Sequence, residues 1–110
     1  MIGNGDVRSL ADAQAMTAAT RCAAVMVGRG ALGAPWIFRG AETSRDERAQ
    51  IIHRHDALIE ALLAPRTAAI QIKKHLAWYA SGFPGAARLR EELFRARDSA
   101  EVREIFWSAW

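Results

Sequence analysis

The run Val25-Met26-Val27, closed by Gly28-Arg29-Gly30, constrains this chain more than any other feature. A short apolar run ending in glycine reads as a strand buried in a parallel sheet. Parallel strands cannot be joined by a tight hairpin and need a crossover, usually a helix. The residues before the run supply one. Ser9 with Asp12 three positions on resembles a capping box with an acid at the third position. The helix it starts is predicted to reach about Thr20, with Leu10, Ala13, Met16 and Thr17 on its inner side. Ahead of it, Ile2-Gly3-Asn4-Gly5-Asp6 reads as a strand end followed by a Gly-rich loop. The order is strand end, loop, helix, strand, loop, so the chain enters an α/β pattern partway through.

From about residue 44 the pattern becomes helical. Ser44 with Glu47 forms a capping box, and Ile51, Ile52, Leu58, Ile59, Leu62 and Leu63 recur with helical period. Pro65 stops that helix. A second is expected over about 66–81, with Ile72, Leu76 and Tyr79 on one side and Gly82 as its cap. Pro84 suits the first turn of a third, which carries Leu89 and Leu93. Asp98 with Glu101 caps a fourth, with Val102, Ile105, Phe106 and Ala109 on one stripe. Four helices with short connections make a compact bundle.

Composition narrows the function classes. Of the 110 residues 51% are hydrophobic, enough for a core. No stretch approaches the roughly 18 apolar residues of a membrane span, and no secretory signal is visible, so a soluble, cytoplasmic location is expected. The single cysteine, Cys22, excludes a disulfide scaffold and any Cys-cluster zinc site. Fifteen basic against twelve acidic side chains leave a net charge of only +3. The distribution says more. No acid lies between Glu60 and Glu91, while that interval holds Arg66, Lys73, Lys74, Arg88 and Arg90. Such an interval suits a patch facing polyanions, and on charge alone it suits ordinary solvated surface equally.

Chemistry points to the two Gly-rich loops. Loops after parallel strands lie at the carboxyl end of the sheet, where α/β proteins bind ligands. Glycines let backbone N–H groups approach an anion, and Arg29 adds a charged donor. Each of Asn4-Gly5-Asp6 and Gly28-Arg29-Gly30 alone is commonly a plain turn. Together they match the pair of loops that builds the phosphate site after strands seven and eight of many (β/α)8 barrels. Other candidates are poorer. His53 and His55, two apart on a helix, point in different directions and cannot share a metal. Cys22 reads as a packing residue, and Trp36, Trp78, Trp107 and Trp110 as core or interface anchors.

Three segments carry a resemblance. Ile2-Gly3-Asn4-Gly5-Asp6-Val7 with Asp12-Ala13, then Val25 through Phe38, resembles the end of the barrel in tRNA-dihydrouridine synthases. Lys73-Lys74-His75-Leu76-Ala77-Trp78-Tyr79 and Gly82 through Arg90 resemble the C-terminal helical domain of the same family, in its bacterial B-type branch. The resemblance implies a mostly α chain: a C-terminal four-helix bundle preceded by the last βα units (strands 7–8) of a TIM (β/α)8 barrel. It implies domains 1–40, the end of a flavin-binding barrel, and 41–110, a helical tRNA-binding domain. The implied activity is NADPH-dependent reduction of the C5–C6 double bond of uridine in tRNA through FMN. Asn4, Gly5, Asp6, Gly28 and Arg29 would contact FMN, and Lys73, Lys74, Arg88 and Arg90 the tRNA. No metal is implied, and the general-acid cysteine is expected upstream of this chain.

The sequence departs from the family pattern in two ways. The usual Thr-Gly-x-Asp-Gly before the last strand reads Thr20-Arg21-Cys22-Ala23-Ala24, and Cys22 does not match the catalytic motif. At most two of eight barrel strands are present, so the chain is expected to be a truncated piece, inactive alone. Residues 1–40 are expected to be loosely held or paired to another copy of the chain, with the barrel-facing side of the first helix and Trp36–Phe38 exposed. Two further readings stay open. One is a non-catalytic helical RNA-binding module. The other is a barrel flavoprotein acting on a small molecule, similar to a dihydroorotate dehydrogenase, which leaves the basic helices unexplained.

Overall fold

A computed structural model describes residues 1–5, 7–39 and 42–110. The chain divides into two compact units, Met1–Ser44 and Arg45–Trp110. It is mostly helical, with one two-stranded sheet among the described residues.

In the first unit, β1 (Ile2–Asn4), helix α1 (Leu10–Thr20) and β2 (Ala24–Met26) follow in order. The strands run parallel in the register Ile2 to Ala24, Gly3 to Val25 and Asn4 to Met26. The βαβ wiring is as expected, but the strand falls on Ala24–Met26 rather than Val25–Val27 and is not buried: Val25 is half-buried and Met26 is 50% exposed, because the two-stranded sheet offers little to cover it. Short-range chemistry sets the helix start. The Ser9 hydroxyl accepts from the Asp12 N–H at 3.1 Å, and the Asp12 carboxylate accepts from the Arg8 N–H at 3.0 Å. At the other end Arg21 is left-handed with φ 54, and its N–H donates to the Thr17 carbonyl.

The expected inner side of α1 holds in part: Ala13 and Met16 are its half-buried residues, with Met16 against Gly3 of β1, while Leu10 and Thr17 are exposed. No residue of α1 is buried, and Leu10 is 43% exposed. Two three-residue strands are too small a surface to cover a helix of three turns. Thr17 is exposed and spends its hydroxyl on the Ala13 carbonyl. Among the described residues of this unit, Val7 and Cys22 are the buried apolar ones. Two 3-10 turns follow, Arg29–Ala31 and Pro35–Arg39. Phe38 is exposed as expected, while Trp36 and Ile37 are half-buried.

The second unit is four helices, α2 (Arg45–Leu62), α3 (Pro65–Tyr79), α4 (Ala86–Arg95) and α5 (Ser99–Ala109). α2 packs on α3, and α3, α4 and α5 pack on one another. Pro65 opens α3 at its first position, where the missing N–H costs nothing. Asp98 caps α5 by accepting from the Glu101 N–H at 2.8 Å, and the Glu101 carboxylate accepts from the Arg97 N–H. The other end of α3 differs from expectation. It stops at Tyr79 and tightens into a 3-10 turn, Ala80–Gly82, so Gly82 is not a left-handed cap. Pro84 lies before the N-cap Gly85 rather than in the first turn of α4.

Ile52, Ile72, Leu93, Val102 and Phe106 are the largest fully buried side chains. The apolar period of α2 was too generous. Ile52 and Ile59 are buried, but Leu58 and Leu62 are 47% and 76% exposed, and Leu63 is exposed as well. One helix face can turn inward, and Leu58 and Leu62 share a different one. On α5, Val102 and Phe106 are buried, Ile105 is half-buried and Ala109 is exposed.

On the buried stripe of α2 sits Asp56, at 9% exposure. A carboxylate there requires a partner. Arg103 of α5 supplies one through two bonds, Nε to Oδ2 at 2.8 Å and Nη2 to Oδ1 at 2.9 Å, and also reaches Glu60 at 3.0 Å. Asp56→Ala is expected to cost roughly 2–4 kcal/mol in urea unfolding, between the ranges for exposed and buried pairs, because the Arg103 side chain is 29% exposed. A loss below about 0.5 kcal/mol would mean that the pair does not hold α2 to α5.

Candidate functional site

The two Gly-rich loops meet. Asn4, Gly5 and Val7 of the first and Gly28, Arg29 and Gly30 of the second line one cleft of about 380 Å³. The parallel register creates the meeting, because Asn4 pairs with Met26 and both strands therefore release their loops at the same end. Gly30 makes it close. A Cβ there would fall on the Val7 carbonyl oxygen, 2.9 Å from the Val7 carbonyl carbon and 3.1 Å from the Arg8 Cα. Gly28 faces open space instead, with no atom within 4 Å of a Cβ built on it. Gly5 has φ 142, a conformation that a side chain would strain. The structure thus brings together Asn4, Gly5, Gly28 and Arg29. Asp6 lies outside the described residues.

The basic candidates are less unified. Lys74 is exposed on α3. Lys73 is half-buried, and its ammonium donates to the carbonyls of Phe94 at 3.2 Å and Ala96 at 2.9 Å, at the end of α4. Arg88 is exposed and makes a loose ion pair with Glu92 at 3.7 Å. Arg90 is exposed beside Ala87, Glu91, Phe94 and Arg95, which line an open groove. Two positions apart on α4, Arg88 and Arg90 point about 200° from each other. The four residues therefore do not form one continuous face.

Between α2 and α3 lies a cluster that sequence reasoning missed. The His55 Nδ1 is 2.9 Å from the Tyr79 hydroxyl, and the His55 and His75 rings meet edge to face at 4.5 Å. His53 instead stacks on Trp107 at 4.0 Å, so the two α2 histidines do diverge. No group of three metal-ligating side chains forms among the described residues. Burial pushes both His55 and His75 below the usual 6.5, against the pull of Asp56 on His55 and with added repulsion of His75 from His55 and Lys74. Burial also pushes the Tyr79 hydroxyl up to about 12.

A histidine whose folded value is depressed binds fewer protons folded than unfolded, so stability falls as pH drops through the unfolded value. The urea midpoint is expected to be level above about pH 7 and to decline below 6.5. His75→Gln should flatten that decline. A midpoint equal at pH 7.5 and 5.5 would contradict the burial of these rings.

Comparison with known proteins gives this geometry a family. Residues 1–108 match the family model described as dihydrouridine synthase (Dus). A probable tRNA-dihydrouridine synthase of Mycobacterium leprae (strain TN) is 40% identical over 104 residues, covering 84% of this chain and 27% of that protein. A probable tRNA-dihydrouridine synthase of Aquifex aeolicus (strain VF5) is 32% identical, covering 98% of this chain and 39% of that protein. The tRNA-dihydrouridine synthase B of Pseudomonas syringae pv. tomato (strain ATCC BAA-871 / DC3000) is 30% identical, covering 96% and 36%. The chain spans 27% to 29% of the length of the mycobacterial relatives. With the match running from β1 into the last turn of α5, the chain belongs to the dihydrouridine synthase family.

Proposed function

We propose that this chain works as part of a flavin-dependent tRNA-dihydrouridine synthase, holding the phosphate of FMN with residues 1–40 and contacting tRNA with residues 41–110. In this reading the first segment closes a (β/α)8 barrel and the four helices form the tRNA-binding bundle. The observation that carries it is the shared cleft. Two consecutive parallel strands deliver their loops to one place, where Gly28 leaves open space and Arg29 lines the cleft.

Those residues fit a phosphate monoester. Asn4, Gly5 and Gly28 bring backbone to the cleft without bulky side chains in the way, and Arg29 offers a guanidinium suited to bidentate phosphate binding. When bound, FMN supplies hydride transfer from NADPH to the C5–C6 double bond of a uridine. The work of this chain is to hold and orient: the first unit fixes the phosphate end of the flavin, and the exposed Lys74 and Arg90 meet RNA phosphates, with Arg88 on the other side of α4 beside Glu92. No catalytic residue is assigned here. Cys22 is buried and takes no part in this reading.

Deleting the gene that encodes this chain and measuring dihydrouridine in total tRNA by mass spectrometry tests the proposal. Loss of dihydrouridine from at least one tRNA position is expected, restored by the wild-type gene and not by Arg29→Glu. An unchanged dihydrouridine map would overturn it.

A further inference from the structure

We infer that the Lys73–Lys74 pair divides its work: Lys73 is a positioning residue that clamps the end of α4, and the phosphate contact of the pair falls to Lys74. This rests on the tRNA-binding reading above. The last carbonyls of a helix have no intrahelical donor, and the negative end of the helix dipole attracts a cation. Lys73 answers both needs from a neighbouring helix, donating to the carbonyls of Phe94 and Ala96, which lie 21 and 23 residues further along the chain. Two of its three N–H donors are committed there, and its stem is half-buried. Lys74 is exposed and has no hydrogen bond or ion pair among the described residues.

What Lys73 holds is the groove side of α4. The carbonyl of Phe94 is its acceptor, while the side of that same residue is 50% exposed and lines the groove with Arg90 and Arg95. Neither arginine pairs with a carboxylate among the described residues. Lys73 therefore acts on the RNA-facing side of α4 through the backbone.

The experiment measures tRNA affinity of the 110-residue chain across salt concentration, for the wild type, Lys74→Met, Lys73→Met, Lys73→Gln and Arg90→Met, each below its own melting transition. Lys74→Met is expected to reduce the slope of log K against log salt by about 0.7–0.9, the loss of one phosphate contact. Lys73→Met is expected to keep the wild-type slope while weakening affinity by about threefold or more, and to diminish the effect of Arg90→Met in the double variant. That coupling is what a merely structural lysine would not give. Lys73→Gln, which keeps a donor without the charge, should also bind with the wild-type slope, and it stands in should Lys73→Met fail to fold. A slope reduced by either Lys73 variant as much as by Lys74→Met would overturn the division of work and leave tRNA binding standing. So would unchanged affinity, or no coupling to Arg90. A chain that binds tRNA with no salt dependence, or not at all, would overturn the tRNA reading and the inference with it.

Discussion

Phe106→Ala is expected to destabilise the helical unit by roughly 3–5 kcal/mol, the range for truncating a buried aromatic. Phe106 has no exposed surface. Its ring meets Phe83 at 5.6 Å, Trp107 at 5.0 Å and Trp110 at 6.2 Å. Truncation removes the centre of that cluster, and the surrounding rings are too large to collapse into the space. Small domains are stable by only about 5–15 kcal/mol, so much of the folded population at moderate urea should disappear. Urea titration followed by tryptophan fluorescence reads both the stability and the environment of Trp107 and Trp110. A loss under about 1 kcal/mol would mean that α5 is not anchored by this ring.

Gly30→Ala is expected to break the cleft. The atoms that a Cβ would meet are the backbone of Val7 and Arg8, which cannot rotate away as a long side chain can. One loop must move off the other. Overpacking of this kind costs about 1–3 kcal/mol and sometimes more, and here the displacement falls on the candidate phosphate site. A loss of FMN affinity of about tenfold or more is expected, together with a lower unfolding midpoint for the first unit. Gly28→Ala is the informative companion. Its Cβ enters open space, so stability should hold while FMN binding weakens. Equal stability of the two variants would contradict the close approach of the loops.

What was legible in the sequence was local. Ser9 with Asp12 and Asp98 with Glu101 announced helix starts because a cap and its target lie three residues apart. Val25 through Gly30 announced a parallel strand and its loop because run length and glycine are read directly. What escaped needed distant partners. Lys73 read as a free cation because its acceptors on Phe94 and Ala96 lie beyond a turn whose angle no local pattern gives. Asp56 and Arg103 are 47 residues apart. One signal was available: Asp56 falls between Ile52 and Ile59 on the inward stripe, and a carboxylate there demands a basic partner. The His55–Tyr79 contact spans 24 residues and carried no such signal.

The most direct test of the phosphate cleft is an amide NMR titration of the chain with FMN and, separately, with riboflavin, which lacks the phosphate. Expected are shifts at Asn4, Gly5, Gly28 and Arg29 with FMN, reduced by Arg29→Glu, and none of comparable size with riboflavin. Equal responses to the two flavins, or FMN shifts confined to the four helices, would contradict the assignment of the two loops as a phosphate site.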